Sequence, residues 1–246
     1  MQSRPSSFGR ARKFAAGAVL LLALATDAGH ADDSAIFVTG PAQPTNVGDA
    51  ILAAATYHDS GAYDRDIEGV LATASNWIAE RAPAVAKPAL VLDIDETTLS
   101  NWEVIQRDNF GRPIGGGCEA GGDGPCGWAA WDQLGQSKAI APMQTLFHAA
   151  RAAKVAVFFI TGRPEDQRAA TDRNLKETGF DGFEKLYMTP NGAKFSSAAN
   201  FKTPVRQGIE AAGFTIIANI GDQPSDILGG HAERIYLLPN PFYRVR

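Results

Sequence analysis

The sequence predicts an α/β protein in which helices cover both faces of a parallel β-sheet. Short apolar runs that suit buried strands alternate along the chain with segments whose apolar residues recur at helical spacing. Polar residues follow several of these runs directly, as expected at the carboxyl edge of a parallel sheet, where ligands bind. The 246 residues, 45% of them hydrophobic, suffice for one large domain with a substantial core.

Residues 1–31 have the pattern of a secretory signal peptide. Basic residues precede the apolar run 14–25, and small residues lead to Ala31, near which we expect cleavage. The run is shorter than the roughly 20 apolar residues that a membrane-spanning helix needs, and no cysteine at its end offers a site for a lipid anchor. We therefore expect an exported protein, periplasmic or extracellular, without a stable membrane anchor.

Residues 32–246 are expected to form the functional domain, whose elements follow in order. After an irregular arm at 32–48, apolar residues from Ile67 to Ile78 predict a helix that Pro83 ends. Five apolar runs are predicted to be strands, at 89–92, 155–160, 184–188, 214–220 and 234–238. Three more predicted helices lie between them: one opened by Pro142, one opened by Pro164 and closed by Gly179, and one from Pro204 to Ala212.

Residues 99–141 lie between the first predicted strand and the helix at Pro142, and here we expect a small cap over the edge of the sheet. Cys118 and Cys126 lie in a Gly-rich loop that can turn back and let them form a disulfide in an oxidising compartment. The large aromatic residues of this insert are Trp102, Phe110, Trp128 and Trp131. One of these rings could stack on an aromatic leaving group such as a nucleobase, but a core for the cap itself is the favoured interpretation.

Five polar residues follow predicted strands: Asp93 and Asp95 after the first, Thr161 after the second, and Asp222 and Asp226 after the fourth. Side chains at i and i+2 of a strand share a face, so Asp93 and Asp95 can point into one site. Converging carboxylates repel one another unless a cation neutralises them, and hard oxygen ligands with open water positions favour Mg²⁺. Thr161 and backbone N–H groups beside it can bind phosphate oxygens. The set predicts phosphoryl transfer through an aspartyl-phosphate.

These residues resemble the four motifs of the haloacid dehalogenase (HAD) superfamily of phosphohydrolases. The motifs are DIDET at 93–97, ITGR at 160–163, a later lysine, and GDQPSD at 221–226. The resemblance is nearest to the secreted acid phosphatases, which include bacterial class B and class C enzymes and plant vegetative storage proteins, and it covers about residues 65–246. It implies a Rossmann-like HAD fold with a small cap inserted after the first catalytic strand.

The resemblance also implies roles for the acidic residues. Asp93 resembles the nucleophile, and Asp95 resembles the general acid that protonates the leaving alcohol and then activates water. The side chains of Asp93 and Asp222 and the backbone carbonyl of Asp95 resemble the Mg²⁺ ligands, which would leave the Asp95 carboxyl free to hold a proton. Asp226 resembles an acid that steadies the metal indirectly, although a role as a helix cap near Ser225 stays open.

The phosphate-binding residues follow from the same resemblance. Thr161 and Gly162 resemble the second motif, which donates hydrogen bonds to the phosphate. Among the lysines between the second and fourth motifs, Lys202 in FKTPVR fits the family pattern better than Lys194 or Lys185.

The resemblance therefore implies an exported, Mg²⁺-dependent acid phosphatase for small phosphomonoesters, among which a nucleotide is one option. The formal net charge of −4, with no basic block in the predicted functional domain, argues against a nucleic-acid partner. Two alternatives stay open: a phosphotransferase with an alcohol as acceptor, and a non-catalytic storage or binding protein on the same fold. Storage relatives typically lose the nucleophile, so the presence of Asp93 favours an enzyme.

Overall fold

The computed structural model describes residues 44–245. The predicted signal peptide, its cleavage site and most of the predicted arm lie outside the described residues. Within 44–245, no helix combines the length and the hydrophobicity that crossing a membrane requires.

A parallel sheet of five strands forms the centre of the described part of the chain. The described residues form seven strands in all: β1 (Pro88–Leu92), β2 (Leu99–Ser100), β3 (Lys138–Ala139), β4 (Ala156–Pro164), β5 (Lys185–Thr189), β6 (Thr215–Gly221) and β7 (Ile235–Leu237). The parallel sheet has the order β5-β4-β1-β6-β7, whereas β2 and β3 pair separately and antiparallel. Because β1 lies in the middle, residues that follow it reach the centre of the sheet's carboxyl edge.

Helices pack on both faces of this sheet, which confirms the predicted α/β class. The helices are α1 (Val47–Asp59), α2 (Ala62–Arg81), α3 (Trp102–Arg107), α4 (Trp128–Leu134), α5 (Ala141–Ala152), α6 (Arg168–Glu177), α7 (Ala199–Ala211) and α8 (Pro224–Ile227). Alternate residues of β1 enter different cores. Leu90 and Leu92 pack with α2 and α5, whereas Ala89 and Val91 pack with Ile209 of α7.

The structure corrects three of the predicted boundaries. A helix, α1, begins at Val47 within the predicted arm, and the side chain of Asn46 caps it by accepting a hydrogen bond from the Gly48 N–H at 2.8 Å. Pro164 ends β4 instead of opening a helix, and a short 3-10 turn precedes α6.

The third correction concerns α7, which begins at Ala199 and contains Pro204 instead of starting there. Phe201, Val205 and Ile209 recur at a spacing of four residues and pack on the sheet together. This apolar stripe extends the helix across the proline, and the extension includes Lys202.

The segment between β1 and α5 contains the short elements β2, α3, α4 and β3. Leu99 pairs with Ala139 and Ser100 with Lys138, so this small antiparallel ladder joins the two ends of the segment. A disulfide links Cys118 to Cys126, whose Cα atoms lie 4.3 Å apart. The disulfide that the sequence allowed is thus present, whereas the action of this segment as a cap stays a prediction.

Candidate active site

The loop after β1 is turned back on itself by backbone hydrogen bonds. The N–H groups of Thr98 and Leu99 both donate to the carbonyl of Ile94 at 2.8 Å. The Asp93 N–H donates to Ile220 of β6 at 3.0 Å, and the Thr98 hydroxyl donates to the Asp93 carbonyl at 2.6 Å. The backbone of Asp93 is therefore fixed at the centre of the sheet's carboxyl edge.

The carboxylate of Asp93 meets a buried lysine. Lys202 Nζ contacts Asp93 Oδ1 and donates to Asp226 Oδ1 at 2.7 Å, and all three side chains are buried. Lys185 and Lys194 are exposed instead. Among the three candidate lysines, the structure therefore brings only Lys202 to the aspartates.

Gly221 and Asp226 of the fourth motif lie in close contact, and hydrogen bonds fix the position of Asp226. A Cβ atom on Gly221 would lie 2.3 Å from the Cβ of Asp226, so only glycine fits at this position. The Asp226 Oδ2 accepts a hydrogen bond from the Gln223 N–H at 2.8 Å, which caps α8. Arg206 of α7 donates to the Asp226 carbonyl at 2.7 Å. Asp226 thus caps a helix and contacts Lys202 at the same time.

Asp222 is oriented by three side chains that were not singled out from the sequence. Its Oδ1 accepts a hydrogen bond from Thr97 Oγ1 at 3.1 Å. Its Oδ2 accepts from Gln223 Nε2 and from Asn240 Nδ2, each at 2.6 Å. Asn240 belongs to the C-terminal LPNPFY segment, so the end of the described chain fixes the aspartate of the fourth motif.

The arrangement of carboxylates fits a hard divalent cation. Asp93, Asp222 and Asp226 each offer an oxygen atom, and these atoms lie within 4.8 Å of one another. Burial raises the pKa of Asp93 well above its usual range, and Asp226 and Asp222 add to the rise while Lys202 opposes it. Burial likewise raises the pKa of Asp222 to about 7. A single lysine does not neutralise three carboxylates, so excess negative charge remains. A bound divalent cation would neutralise it, and carboxylate oxygens are the ligands that a hard cation prefers.

Asp95 lies beside Asp93 but its carboxylate has different partners. Arg163 Nη2 donates to Asp95 Oδ1 at 2.6 Å, and Asn101 Nδ2 donates to the same oxygen at 2.8 Å. Although burial opposes the effect, the Arg163 guanidinium holds the pKa of Asp95 below its usual value. A buried arginine of the second motif therefore binds the Asp95 carboxylate, and the role of this carboxyl in holding a proton stays a prediction.

Arg163 also contacts a second buried carboxylate, Asp132 of α4. Its Nη2 lies 3.2 Å from Asp132 Oδ1. Burial raises the pKa of Asp132 to about 7, and Arg163 opposes this rise. Neither Arg163 nor Asp132 was singled out from the sequence, although Arg163 is the last residue of the ITGR motif.

Thr161 and Gly162 lie at the end of β4, next to β1. Thr161 is fully buried, and its Oγ1 accepts a hydrogen bond from the Arg163 N–H at 3.2 Å. Gly162 is exposed and lines a cavity that is also lined by Asp93, Asp95 and Asp222. Its carbonyl accepts a hydrogen bond from Thr189 Oγ1 at 3.1 Å. The backbone of the second motif thus faces the cavity that contains Asp93.

A second contact of the C-terminal segment, after that of Asn240, reaches the first motif. The Tyr243 hydroxyl contacts Glu96 Oε2, and Glu96 Oε1 accepts a hydrogen bond from the Asn101 N–H at 2.6 Å. Burial raises the pKa of Glu96 to about 8. No pattern in the sequence predicts this pair, because 147 residues separate its members.

Comparison with known proteins assigns the chain to a family. The profile of the HAD superfamily, subfamily IIIB (acid phosphatase), matches residues 42–246. The chain belongs to this acid phosphatase family. The match confirms the predicted relationship to the HAD acid phosphatases.

Individual relatives agree with this family. The tomato (Solanum lycopersicum) protein "Acid phosphatase 1" is 30% identical over 156 residues, which cover 63% of this chain and 58% of the relative. The soybean (Glycine max) "Stem 28 kDa glycoprotein" is 29% identical over 163 residues, covering 65% and 61% respectively. The match thus spans less than two thirds of either relative. "Vegetative storage protein 1" of Arabidopsis thaliana is 27% identical over 157 residues, covering 63% and 54%.

A solved structure shows the same fold. The class C acid phosphatase from Bacillus anthracis superimposes with a TM-score of 0.63 at 19% identity, over 80% of this chain and 85% of that chain. This likeness agrees with the parallel five-stranded sheet described above.

The active-site cavity of this family member has a volume of about 350 Å³. Trp128 is its only tryptophan among the described residues, and the Arg112 guanidinium covers one face of the Trp128 ring at 4.7 Å. Trp102 lies at a different cavity, where His58 stacks on it with ring centres 3.7 Å apart. Trp131 is buried. The contacts of these rings favour a structural role over stacking on a leaving group.

Proposed function

We propose that this protein is an exported, Mg²⁺-dependent acid phosphatase that hydrolyses small phosphomonoesters through an aspartyl-phosphate on Asp93. One observation carries the proposal: a buried carboxylate at the centre of the sheet's edge contacts Lys202 and lies within 4.8 Å of Asp222 and Asp226. Nucleophile, cationic partner and a set of oxygen ligands are the parts that phosphoryl transfer needs.

Asp93 Oδ2 is the oxygen proposed to attack phosphorus, because Oδ1 contacts Lys202. Lys202 stabilises negative charge beside the attacked phosphoryl group and holds the nucleophile in one orientation. Thr161 and the backbone at Gly162 are proposed to donate hydrogen bonds to the phosphate. Within residues 44–245, the Thr161 hydroxyl donates no hydrogen bond to another residue.

The proposed ligands of Mg²⁺ are the side chains of Asp93 and Asp222 and the backbone carbonyl of Asp95. No hydrogen bond reaches this carbonyl from another described residue. Asp226 is proposed to support the site without direct ligation, because one of its oxygens pairs with the cation Lys202 and the other caps α8, whereas the partners of Asp222 are uncharged. When bound, the cation supplies charge stabilisation for the phosphoryl oxygens.

Asp95 is proposed to move the protons of both steps. In the first step the phosphorus–oxygen bond of the ester breaks, and the leaving alcohol takes a proton from Asp95. In the second step Asp95 takes a proton from water, whose oxygen attacks phosphorus and frees Asp93. The Arg163 contact favours the ionised form of Asp95, which the second step needs. The first step needs protonated Asp95, and because Arg163 disfavours that form, we expect it to be populated in acidic medium.

Export is part of the proposal and has two supports. One is the signal-peptide pattern of residues 1–31. The other is the Cys118–Cys126 disulfide, because disulfides persist in oxidising compartments. Expression of the full chain in a bacterial host should give a periplasmic or secreted form whose N-terminus begins near Asp32. A protein that stays in the cytoplasm with Met1 intact would contradict export.

Release of phosphate from an aryl phosphate tests the activity. We expect turnover with added Mg²⁺, loss of turnover with EDTA, and loss in the Asp93→Asn variant. Asp123→Asn, which changes an exposed carboxylate in the Gly-rich loop, is the matched control and should retain activity. Turnover that resists the chelator would refute the metal, and full activity of Asp93→Asn would refute the nucleophile.

Two other functions remain to be tested by the same assay. Analysis of products with an added alcohol separates hydrolysis from transfer, because a phosphotransferase would form a new ester. A storage function is suggested by relatives such as the Arabidopsis storage protein. The presence of Asp93, Lys202 and Asp222 in one site supports an enzyme instead.

A further inference from the structure

The active-site cavity contains a third cation that the proposed reaction does not use. Arg163 and Lys202 each contact carboxylates. Arg112 also lines the cavity, but within residues 44–245 it forms neither an ion pair nor a hydrogen bond, and its buried Nε lacks a partner. A guanidinium carries five N–H donors and stays charged, so unsatisfied donors beside a binding cavity are suited to an anionic ligand.

Two aromatic rings hold the Arg112 guanidinium in place. Its central carbon lies 4.7 Å from the centre of the Trp128 ring and 4.9 Å from that of Tyr243. Tyr243 is itself fixed by its contact with Glu96. The Trp128 N–H donates to the carbonyl of Pro113 at 2.7 Å, which ties the residue after Arg112 to α4.

The backbone of Arg112 is also constrained. Its φ of 47° lies in the left-handed region, which is uncommon for a residue other than glycine. The loop therefore constrains the backbone at Arg112, and the contacts with the Trp128 and Tyr243 rings limit the freedom that its side chain can lose on binding.

Arg112 lies on the side of the cavity where the leaving group is expected. Its guanidinium covers Trp128 of α4, and Asp132, one turn further along α4, contacts the Arg163 side chain that binds Asp95. The cation that contacts Asp93 is instead Lys202. If Asp95 protonates the leaving oxygen, the leaving group must lie beside Asp95. Arg112 then faces the leaving group and not the transferred phosphoryl group.

We infer that Arg112 binds an anionic group carried by the leaving-group part of the substrate. Preferred substrates are accordingly phosphomonoesters that carry a second anionic group, such as a carboxylate or another phosphate, because a guanidinium binds both in bidentate fashion. This inference rests on the proposed function for the direction in which the leaving group lies.

Equilibrium binding of two phosphonates tests the inference without requiring turnover. Phenylphosphonate and 4-carboxyphenylphosphonate differ only in the second anionic group, and calorimetry with Mg²⁺ present gives the ratio of their affinities. We expect the carboxylated ligand to bind about tenfold more tightly to the unchanged protein. In Arg112→Gln, which keeps a planar side chain but no charge, the ratio should fall to about one.

Controls separate the inference from other roles of Arg112. Arg151→Gln removes an exposed arginine of α5 and should keep the tenfold ratio. Arg112→Lys keeps the charge but not the bidentate geometry, so its affinity ratio should lie between one and ten. This variant provides the test if Arg112→Gln does not fold. A ratio of one in the unchanged protein, or an undiminished ratio in Arg112→Gln, would overturn the inference.

Hydrolysis of the corresponding phosphates distinguishes this inference from the proposed function. Failure to hydrolyse phenyl phosphate would contradict the phosphatase assignment, yet the two phosphonate affinities would still report on Arg112. Normal hydrolysis with equal kcat/KM effects of Arg112→Gln on phenyl phosphate and 4-carboxyphenyl phosphate would instead overturn only the role of Arg112.

Discussion

The two sides of the active-site cavity hold their charges in opposite ways. On the Asp93 side, three carboxylates surround a single cation, Lys202. On the Asp95 side, Arg163 lies between Asp95 and Asp132, and the charge of Arg112 also acts on both carboxylates. The Asp93 side keeps excess negative charge and suits a divalent cation. On the Asp95 side the positive and negative charges are nearly equal, which suits binding of the leaving-group part of the substrate.

The two sides also differ in how the chain builds them. Asp93 and Asp222 follow neighbouring strands of the sheet, so topology alone brings them together. Asp132 comes from α4 in the segment between β1 and α5 and reaches Arg163 at the end of β4. The Asp93 side is therefore built on the sheet, whereas the Asp95 side also depends on the segment between β1 and α5.

Removing the cation of the Asp93 side is expected to have the largest effect. In Lys202→Met, two buried carboxylates lose their partner, which should lower the free energy of unfolding by about 3 kcal/mol without metal. We also expect phosphate release to slow by about a hundredfold or more. Denaturant unfolding and the aryl phosphate assay measure the two effects.

Lys194→Met is the control for that variant, because Lys194 is exposed and was the reserve candidate from the sequence. It should leave both measurements unchanged. Equal behaviour of the two variants would show that the Asp93 side does not depend on Lys202.

The Asp95 side can be tested through the pH dependence of stability. The pKa of Asp132 is raised from 3.8 to about 7 in the folded protein, so the folded state keeps a proton that the unfolded state has lost. Stability from this residue is therefore lost as the pH rises from about 4 to about 7. Asp132→Asn cannot titrate, so its stability relative to the unchanged protein should increase over this interval by about 4 kcal/mol.

Denaturant unfolding at several pH values, with EDTA present, measures this difference. The groups that face Asp132 are Arg163, Asp95, Arg112 and Gln167, and they are the same in both proteins. Asp123→Asn, at an exposed site, should show no such trend. A constant difference between Asp132→Asn and the unchanged protein from pH 4 to pH 8 would contradict this account of the Asp95 side.

A smaller effect is expected from the C-terminal segment that orients Asp222. Asn240→Ala removes the donor to Asp222 Oδ2 and should weaken Mg²⁺ binding by about tenfold, because partners of metal ligands tune affinity. Calorimetric titration with Mg²⁺ measures this directly. Asn200→Ala, which removes an exposed amide bonded to Ser196, should bind Mg²⁺ normally. Equal affinities in both variants would exclude this role for Asn240.

The smallest effect on substrate choice is expected at Trp102. This residue lies at the second cavity and stacks on His58, away from the residues that line the active site. In Trp102→Ala, the ratio of kcat/KM for a nucleoside monophosphate to that for glycerol phosphate should stay the same. A clear fall in this ratio would restore the hypothesis that Trp102 stacks on a nucleobase.

The sequence was sufficient to predict most of the Asp93 side. Asp93, Asp222 and Asp226 could be found because they follow apolar runs, and carboxyl ends of parallel strands share one edge. Lys202 needed the resemblance as well, because a helix predicted to start at Pro204 did not include it. The continuous stripe of Phe201, Val205 and Ile209 was the signal for the longer helix.

The Asp95 side could not be predicted in the same way. Arg163 and Asp95 are 68 residues apart, and Asp132 lies in a segment without a repeating pattern. The same holds for Asn240, which reaches Asp222 through the fold of the C-terminal segment. Such contacts depend on how loops pack, and neither periodicity nor spacing in the sequence encodes that packing.

Chemical trapping at Asp93 tests the central claim most directly. The protein is mixed with Mg²⁺ and an aryl phosphate, quenched with acid and treated with borohydride, which reduces an acyl phosphate to an alcohol. Peptide mapping should then find homoserine at position 93 and unchanged Asp95, with no conversion when substrate is omitted. Turnover without any modification at position 93, or modification at Asp95 instead, would contradict the account.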